Sequence, residues 1–220
     1  MKAVLAAVLS AAAAVALAVH FDHDRSHASG TDRPGAGIAA QAHADAFAEI
    51  ARRIYDHEHA PVVARSAVKH LGADKTLVRA LQTGDRKLIR AHARLTVIPH
   101  EVRVRVVRGS QVLTDVGLPF VVQGAQAELI APDGSDLGRV EVSIQDVIGF
   151  VKLVSRQTGT EVVVRGQGRV ATSLSAADHA QLPSSGSARL GGRTYIVRSF
   201  KEADFIGKPL TVWVLDPVAH

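Results

Sequence analysis

The sequence predicts an α+β protein in which several helices precede an antiparallel sheet that is interrupted by one inserted helix. Three observations support this fold class. Apolar residues recur at helical spacing before Leu95 and alternate with polar residues after it. The connections between the predicted strands are too short for parallel crossovers. We therefore expect N-terminal helices packed on a roughly five- to six-stranded antiparallel sheet, because segregated helices and antiparallel strands are typical of this class.

Composition restricts the classes of protein and of site. The chain has 220 residues, of which 47% are hydrophobic and only 4% aromatic, so the core is expected to be aliphatic. The absence of cysteine excludes disulfides, thiolate metal sites and a cysteine nucleophile. The net charge is +5, with basic residues spread along the chain. No basic stripe with stacking aromatics is evident, so nucleic-acid binding is not predicted.

The N-terminus has the pattern of an export signal. Lys2 precedes the uncharged run "AVLAAVLSAAAAVALAV", and Ala16-Leu17-Ala18 fits the small-x-small cleavage pattern. This run is also close to the shortest length that spans a bilayer. Residues 1–18 are therefore predicted to be a signal peptide or an N-terminal anchor. The protein is expected to be extracytoplasmic, either secreted or anchored in the membrane.

Residues 19–37 are predicted to be a flexible linker, because they are polar and rich in Gly, Ser and Asp. His20, His23 and His27 lie at spacings that would place them on one face of a helix, where they could bind a metal. A disordered polar tail is the favoured interpretation, because nothing in this stretch would hold a helix rigid.

Residues 38–95 are predicted to form a helical region of four helices. The first carries an apolar stripe of Phe47, Ile50, Ala51 and Ile54. The second spans residues 62–71 and ends at Gly72. Asp74 and Asp85 are expected to cap the third and fourth helices, and the third ends at Gly84.

The end of the first helix carries the stretch "DHEH", residues 56–59. Its side chains suit zinc, and a metal hydrolase using His57, Glu58 and His59 is one hypothesis. However, His-x-His on a helix points the two rings to different sides, which favours a solvated helix end. The sequence contains neither G-x-S-x-G nor H-E-x-x-H, so we predict that the protein is not an enzyme.

Residues 96–217 are predicted to form the sheet domain. "EVRVRVVRGSQVLTDVG" is a hairpin, and "GAQAELIAPDGSDLGRVEVSIQ" is a second one that turns at Pro-Asp-Gly. In "VEVSIQDVIGFVKLVSRQTG" a strand then runs directly into a helix, for which Asp146 is the expected N-cap. "TEVVVRGQGRVATSL", a helical turn at residues 178–183, "ARLGGRTYIVRSFKE" and "PLTVWVLDP" complete the predicted elements.

This order of elements, with "VRVVRGSQVLTDVGLPFVV" and "VSIQD…GFVKLV", resembles a single Cache domain, the extracytoplasmic relative of the PAS fold. It is similar to small exported Cache-like proteins of the actinobacterial type. The resemblance implies a sensor with a ligand pocket on one sheet face, roofed by loops and a helix. It also implies a membrane-bound signalling partner that receives the signal.

Two arginines are the leading candidates for binding a ligand. Arg103 and Arg105 share a strand face about 7 Å apart and could clamp a carboxylate or phosphate. The alternative, which the pattern favours, is that they lie on the solvent face of an antiparallel sheet. Asp115 could face Arg105 across the hairpin as a cross-strand pair, which would weaken the anion site.

Further candidates lie around the inserted helix and on a late strand. Gln145 enters the loop where it could reach a ligand, and Asp146 stands where free helix amides attract anions. Phe150 belongs to the helix's apolar stripe, and Lys152 is either a solvated flank or the lip of a pocket. Tyr195 is expected in the core or at a sheet face, with pocket lining as the alternative. No metal and no cofactor are predicted.

The function predicted from these features is an exported Cache-like sensor that recognises a small molecule, which would be anionic if the arginines bind it. The alternative is an exported structural or interaction module with the same fold and no small ligand.

Overall fold

The computed structural model describes residues 34–59, 62–97, 102–131, 133–174 and 181–218. The predicted leader, most of the predicted linker and the three histidines within that linker lie outside the described residues. The first half of the helical turn expected at 178–183 also lies outside them, and residues 181–183 are not helical.

Five helices are present in the described part of the chain. They are α1 (Pro34–His59), α2 (Val62–Ala73), α3 (Lys75–Thr83), α4 (Arg86–Val97) and α5 (Val147–Thr158). Helix α1 begins four residues before the predicted start and buries Ala44, Ala51 and Tyr55. Ile50 is 40% exposed, so its predicted place on the buried stripe is wrong. Tyr55, four residues after Ala51, lies on the buried face instead.

The short helices begin and end where their local sequence dictates. Asp74 is the N-cap of α3 and accepts hydrogen bonds from the amides of Thr76 at 2.8 Å and Leu77 at 3.1 Å. Gly84 closes that helix with φ of 70°, a conformation that favours glycine. Asp85 accepts the Leu88 amide at 3.0 Å at the start of α4. The predicted caps at all three positions are confirmed.

Nine strands in the described residues form two antiparallel sheets. They are β1 (Arg103–Arg108), β2 (Gln111–Gly117), β3 (Ala125–Ile130), β4 (Asp136–Ser143), β5 (Glu161–Gly166), β6 (Arg169–Thr172), β7 (Ser185–Leu190), β8 (Arg193–Ala203) and β9 (Pro209–Pro217). Sheet I has the strand order β2-β1-β4-β3, and sheet II has the order β6-β5-β9-β8-β7. The α+β class is confirmed, and the strands divide between two sheets where the pattern predicted one.

Each sheet has its own layer of helices. Helices α2, α3 and α4 cover one face of sheet I, where Val104, Val106, Val140 and Val142 are fully buried. Helices α1 and α5 cover one face of sheet II. Together, Pro34–His220 form one compact unit.

The backbone between β2 and β3 joins the two sheets. Val121 forms an isolated bridge with Asp146, and Val122 forms one with Asp204, in the turn between β8 and β9. Asp146 follows β4 and caps α5 by accepting the Gly149 amide. The strand-to-helix junction and its predicted cap are therefore confirmed.

No helix among the described residues is long and apolar enough to cross a membrane.

Replacing Asp74 by alanine is expected to lower the free energy of unfolding by about 1 kcal/mol at neutral pH, because the first amides of α3 lose their acceptor. Partial burial by itself raises the pKa of this carboxyl, but hydrogen bonds from two amides and from His92 outweigh it and hold the pKa below its usual 3.8. A lowered folded-state pKa stabilises the protein above the unfolded value, and this stabilisation is lost as the pH falls through the folded one.

Urea unfolding of the wild type and of Asp74→Ala at neutral pH and below pH 4 measures this difference, which should shrink in acid. Asp56→Ala, at an exposed position on α1, is the control and should change stability by less than about 0.5 kcal/mol. A difference that stays constant into acid would show that the charged carboxylate is not what stabilises α3.

Candidate functional site

A groove of about 440 Å³ lies on the face of sheet I that the helices leave uncovered. Its floor comes from β1, β3 and β4, and its rim from the loop before β3 and the β8–β9 turn. The lining residues are Arg105, Gln123, Gly124, Ala125, Gln126, Arg139, Glu141, Phe205, Ile206 and Gly207. The groove is therefore built by both sheets.

A shared carboxylate dominates the floor of the groove. Glu141 is only 8% exposed and lies opposite Arg105 on β1 and Gln126 on β3. It accepts a hydrogen bond from Arg105 at 3.1 Å through one oxygen, and two from Arg139 at 2.9 and 3.1 Å through the other. Among the lining residues, two guanidinium groups thus share one carboxylate, which leaves one unit of positive charge there, while the exposed Glu128 opposite Arg139 lies outside the lining.

The rim turn at residues 205–207 is held from beneath by a buried aspartate. Asp204 is fully buried and accepts the backbone amides of Ile206 at 2.9 Å and Lys208 at 2.8 Å. The side-chain amide of Gln167 donates to its second oxygen. Because amides of the turn itself bind one carboxylate oxygen and Gln167 of the β5–β6 turn binds the other, the rim keeps a defined shape.

Arg103 supports the same rim from the side. Its guanidinium donates to both oxygens of Asp115 at 2.8 Å each and to the Pro119 carbonyl at 3.2 Å. The guanidinium carbon also lies 5.2 Å from the centre of the Phe205 ring, which is a cation–π distance. Arg103 therefore positions Phe205 and does not itself line the groove.

The hydroxyl of Tyr55 on α1 connects the two walls of the groove, which are the loop before β3 and the β8–β9 turn. It donates to the Ala203 carbonyl at 2.5 Å, just before the rim turn, and accepts the Gln123 amide at 3.3 Å. Burial raises the pKa of the Tyr55 hydroxyl, so the group stays neutral and keeps its proton to donate. The ring packs edge-to-face on Phe150 at 5.4 Å, which fixes the position of the hydroxyl.

Only Arg105 among the predicted ligand residues lines the groove. Arg105 does lie opposite Asp115 in the strand register, but Arg103 binds that carboxylate while Arg105 binds Glu141. The predicted placement of Asp115 opposite Arg105 is confirmed, but its carboxylate is bound by the diagonal neighbour Arg103, which reaches it with two donors.

The remaining predicted residues lie elsewhere. Asp146 is occupied as the cap of α5, and the Gln145 side chain donates to the Asp146 carbonyl at 3.1 Å. Phe150 is fully buried under sheet II, and Tyr195 is buried on that sheet's opposite face. Lys152 is exposed on α5. The structure does not bring these residues together with Arg105.

Sequence reasoning missed most of the groove. Gln123, Gln126, Arg139 and Glu141 were not singled out, since each is an ordinary polar residue in or beside an alternating strand. The available signal was that Arg139 and Glu141 occupy the polar positions of β4. That signal gains meaning only once β4 is paired with β1.

No group of three or more His, Asp or Glu side chains in the described part of the chain is arranged to hold a metal ion. His57 is exposed on α1, and the side chains of Glu58 and His59 lie outside the described residues.

Comparison with known proteins supports the fold. No family model matches the sequence, and no curated protein matches it. Two crystal structures of the periplasmic domain of LuxQ from Vibrio cholerae, one a selenomethionine form, match with a TM-score of 0.52 and 12% sequence identity. Each covers 80% of this chain, and the matches span 98% and 100% of the LuxQ domains. At this identity the likeness shows that this chain shares its fold with a periplasmic domain.

Changing Glu141 to glutamine is expected to lower the free energy of unfolding by about 2 kcal/mol, because two guanidinium groups lose their shared charged acceptor. Equilibrium unfolding in urea measures the loss. Glu128→Gln is the matched control, since Glu128 is exposed on the neighbouring strand opposite Arg139. Equal stability of the Glu141 variant and the wild type would show that the shared carboxylate does not stabilise the groove.

Changing Tyr55 to phenylalanine is expected to leave the Ala203 carbonyl and the Gln123 amide without their partner at a cost of about 1 kcal/mol. Amide hydrogen exchange at Gln123 should then become faster, while the ring still packs on Phe150. Tyr195→Phe makes the same chemical change on the other face of sheet II and should leave exchange at Gln123 unaltered. Unchanged exchange in the Tyr55 variant would contradict a link between α1 and the groove.

Proposed function

We propose that this protein is an extracytoplasmic sensor domain that binds a small anionic molecule in the groove on sheet I and passes the signal to a membrane-bound partner. The observation that carries the proposal is the unequal charge on the groove floor, where Arg105 and Arg139 share Glu141. A bound anion would neutralise the positive charge that Glu141 alone leaves on the two arginines.

The chemistry of the lining suits a small ligand with an acidic group. Each guanidinium has five N–H donors, and only one donor of Arg105 and two of Arg139 are used on Glu141. Gln123 and Gln126 add amides that can donate or accept, while Phe205 and Ile206 offer an apolar wall. A volume of about 440 Å³ is within the range of small-molecule sites. A carboxylate or phosphate ester with a short apolar part matches this set.

The lining also favours binding over covalent catalysis. It contains no Ser, His, Lys or Cys that could act as a nucleophile next to a base. The extracytoplasmic location is supported by the export pattern at the N-terminus and by the fold shared with periplasmic domains. The membrane-bound partner is the one that the Cache resemblance implies.

The second candidate function is a structural or interaction module with the same fold and no small ligand. It is favoured by the internal pairing of Arg105 and Arg139 with Glu141, since a sheet face that binds nothing also needs its charges paired.

A thermal-shift screen of Pro34–His220 against small carboxylates, phosphate esters and neutral compounds of equal size tests the proposal. An anion present at 100 times its dissociation constant should stabilise the fold by about 2.7 kcal/mol. Arg139→Gln keeps the Arg105–Glu141 pair and should raise the dissociation constant of that anion about 10-fold. Arg169→Gln, on the exposed strand β6, is the matched control and should bind as the wild type does.

Stabilisation by neutral compounds alone would overturn the anionic specificity. If no compound of a broad panel shifts the melting temperature, the structural module becomes the better description. Weakening by Arg169→Gln to the same extent would place the binding outside the groove.

A further inference from the structure

The positive charge of the protein is concentrated in one helical segment. Residues 69–94 contain seven Lys and Arg against two Asp, which gives +5, and the whole chain also has a net charge of +5. The rest of the chain therefore has a net charge of zero. Basic residues do occur along the whole chain, but their excess over acidic residues lies in this segment.

The helices turn this segment into a surface, which we call the basic face. Its seven cations are all exposed on α2, α3 and α4, the layer that covers sheet I on the side away from the groove. They are Lys69, Lys75, Arg79, Arg86, Lys87, Arg90 and Arg94. Arg86, Arg90 and Arg94 are spaced four residues apart and form a stripe about 12 Å long on α4. The basic face is thus separate from the proposed ligand site.

The charge of the basic face is not neutralised by neighbouring groups of the described residues. Its two acidic residues, Asp74 and Asp85, cap helices, and Asp74 also binds His92. The ion pairs found elsewhere use other arginines, such as Arg103 with Asp115 and Arg198 with Asp45. Like charges four residues apart destabilise a helix, so the stripe works against the stability of α4. A partner that carries negative charge would offset this repulsion.

The chemistry of the basic face indicates the kind of partner. Protein interfaces are centred on aromatic and apolar anchors, and single-stranded nucleic acids are bound by stacking on aromatics. The sequence from residue 56 to residue 119 contains no Phe, Tyr or Trp. Lipid headgroups need no such anchor, since each Lys or Arg near an anionic membrane surface contributes attraction by its charge alone. Leu95, 64% exposed beside Arg94, adds an apolar contact at the edge.

We propose that the basic face of α2–α4 docks on an anionic phospholipid surface. The occupant is the layer of lipid phosphates, which Arg side chains bind with paired donors. This docking does not depend on a ligand in the groove, because the two surfaces lie on opposite sides of sheet I.

Co-sedimentation of Pro34–His220 with vesicles tests the proposal. Vesicles of phosphatidylglycerol mixed with phosphatidylcholine should bind the protein, vesicles of phosphatidylcholine alone should not, and added salt should weaken the binding. The triple variant Arg86→Gln/Arg90→Gln/Arg94→Gln should partition about 100-fold more weakly. The control variant Arg169→Gln/Arg189→Gln/Arg193→Gln removes the same charge from exposed positions on sheet II and should bind nearly as the wild type does.

Circular dichroism will check that both triple variants are folded. If the α4 triple variant unfolds, the single variant Arg90→Gln replaces it, with a smaller expected loss of vesicle binding. Equal weakening by the two triple variants would show that net charge and not the basic face drives binding, and would overturn the proposal. Equal binding to neutral and anionic vesicles would overturn it as well. Release of the bound protein by double-stranded DNA at an equal phosphate concentration would favour a soluble polyanion over a membrane.

Discussion

The two sheets meet through two consecutive residues of the connection between β2 and β3. Val121 bridges to Asp146 where β4 gives way to α5, and Val122 bridges to Asp204 beneath the β8–β9 turn. Gly124 follows, and a Cβ there would overlap a backbone carbonyl of β4, so the close approach requires glycine. This contact brings the rim turn of sheet II over the open face of sheet I. These backbone pairings hold the rim turn of sheet II next to sheet I, and the groove forms between them.

The features predicted correctly from the sequence are those that depend on a few residues close together in the chain. Asp74, Asp85 and Asp146 cap helices as predicted, because capping needs only a carboxylate and amides two or three residues away. The division into two sheets was out of reach, since β1 pairs with β4 and β5 pairs with β9 across long stretches of chain. Alternating apolar residues reveal a strand and its faces but do not identify its partner strand.

The candidate site shows the same limit at the level of single side chains. Arg105 has an acidic residue opposite it on each side, Asp115 on β2 and Glu141 on β4. The local hairpin predicted that Asp115 faces Arg105, and it does, yet Arg103 binds that carboxylate with two donors. Arg105 is left to share Glu141 with Arg139, and this competition gives the groove its surplus positive charge. Such a choice between acceptors depends on side-chain geometry across three strands, which periodicity does not contain.

Helix α1 contacts both sheet II and the backbone on two sides of the groove. Its N-terminal half is held on sheet II by His43 with Asp216 at 2.9 Å and by Asp45 with Arg198. Its C-terminal half carries Tyr55, whose hydroxyl binds both walls of the groove. A ligand bound as we propose would, if it drew these two segments together or apart, strain or relieve the hydrogen bonds of this hydroxyl. By linkage, the factor by which such a ligand would shift an equilibrium between two positions of α1 equals the ratio of the ligand's affinities for the protein in those two positions.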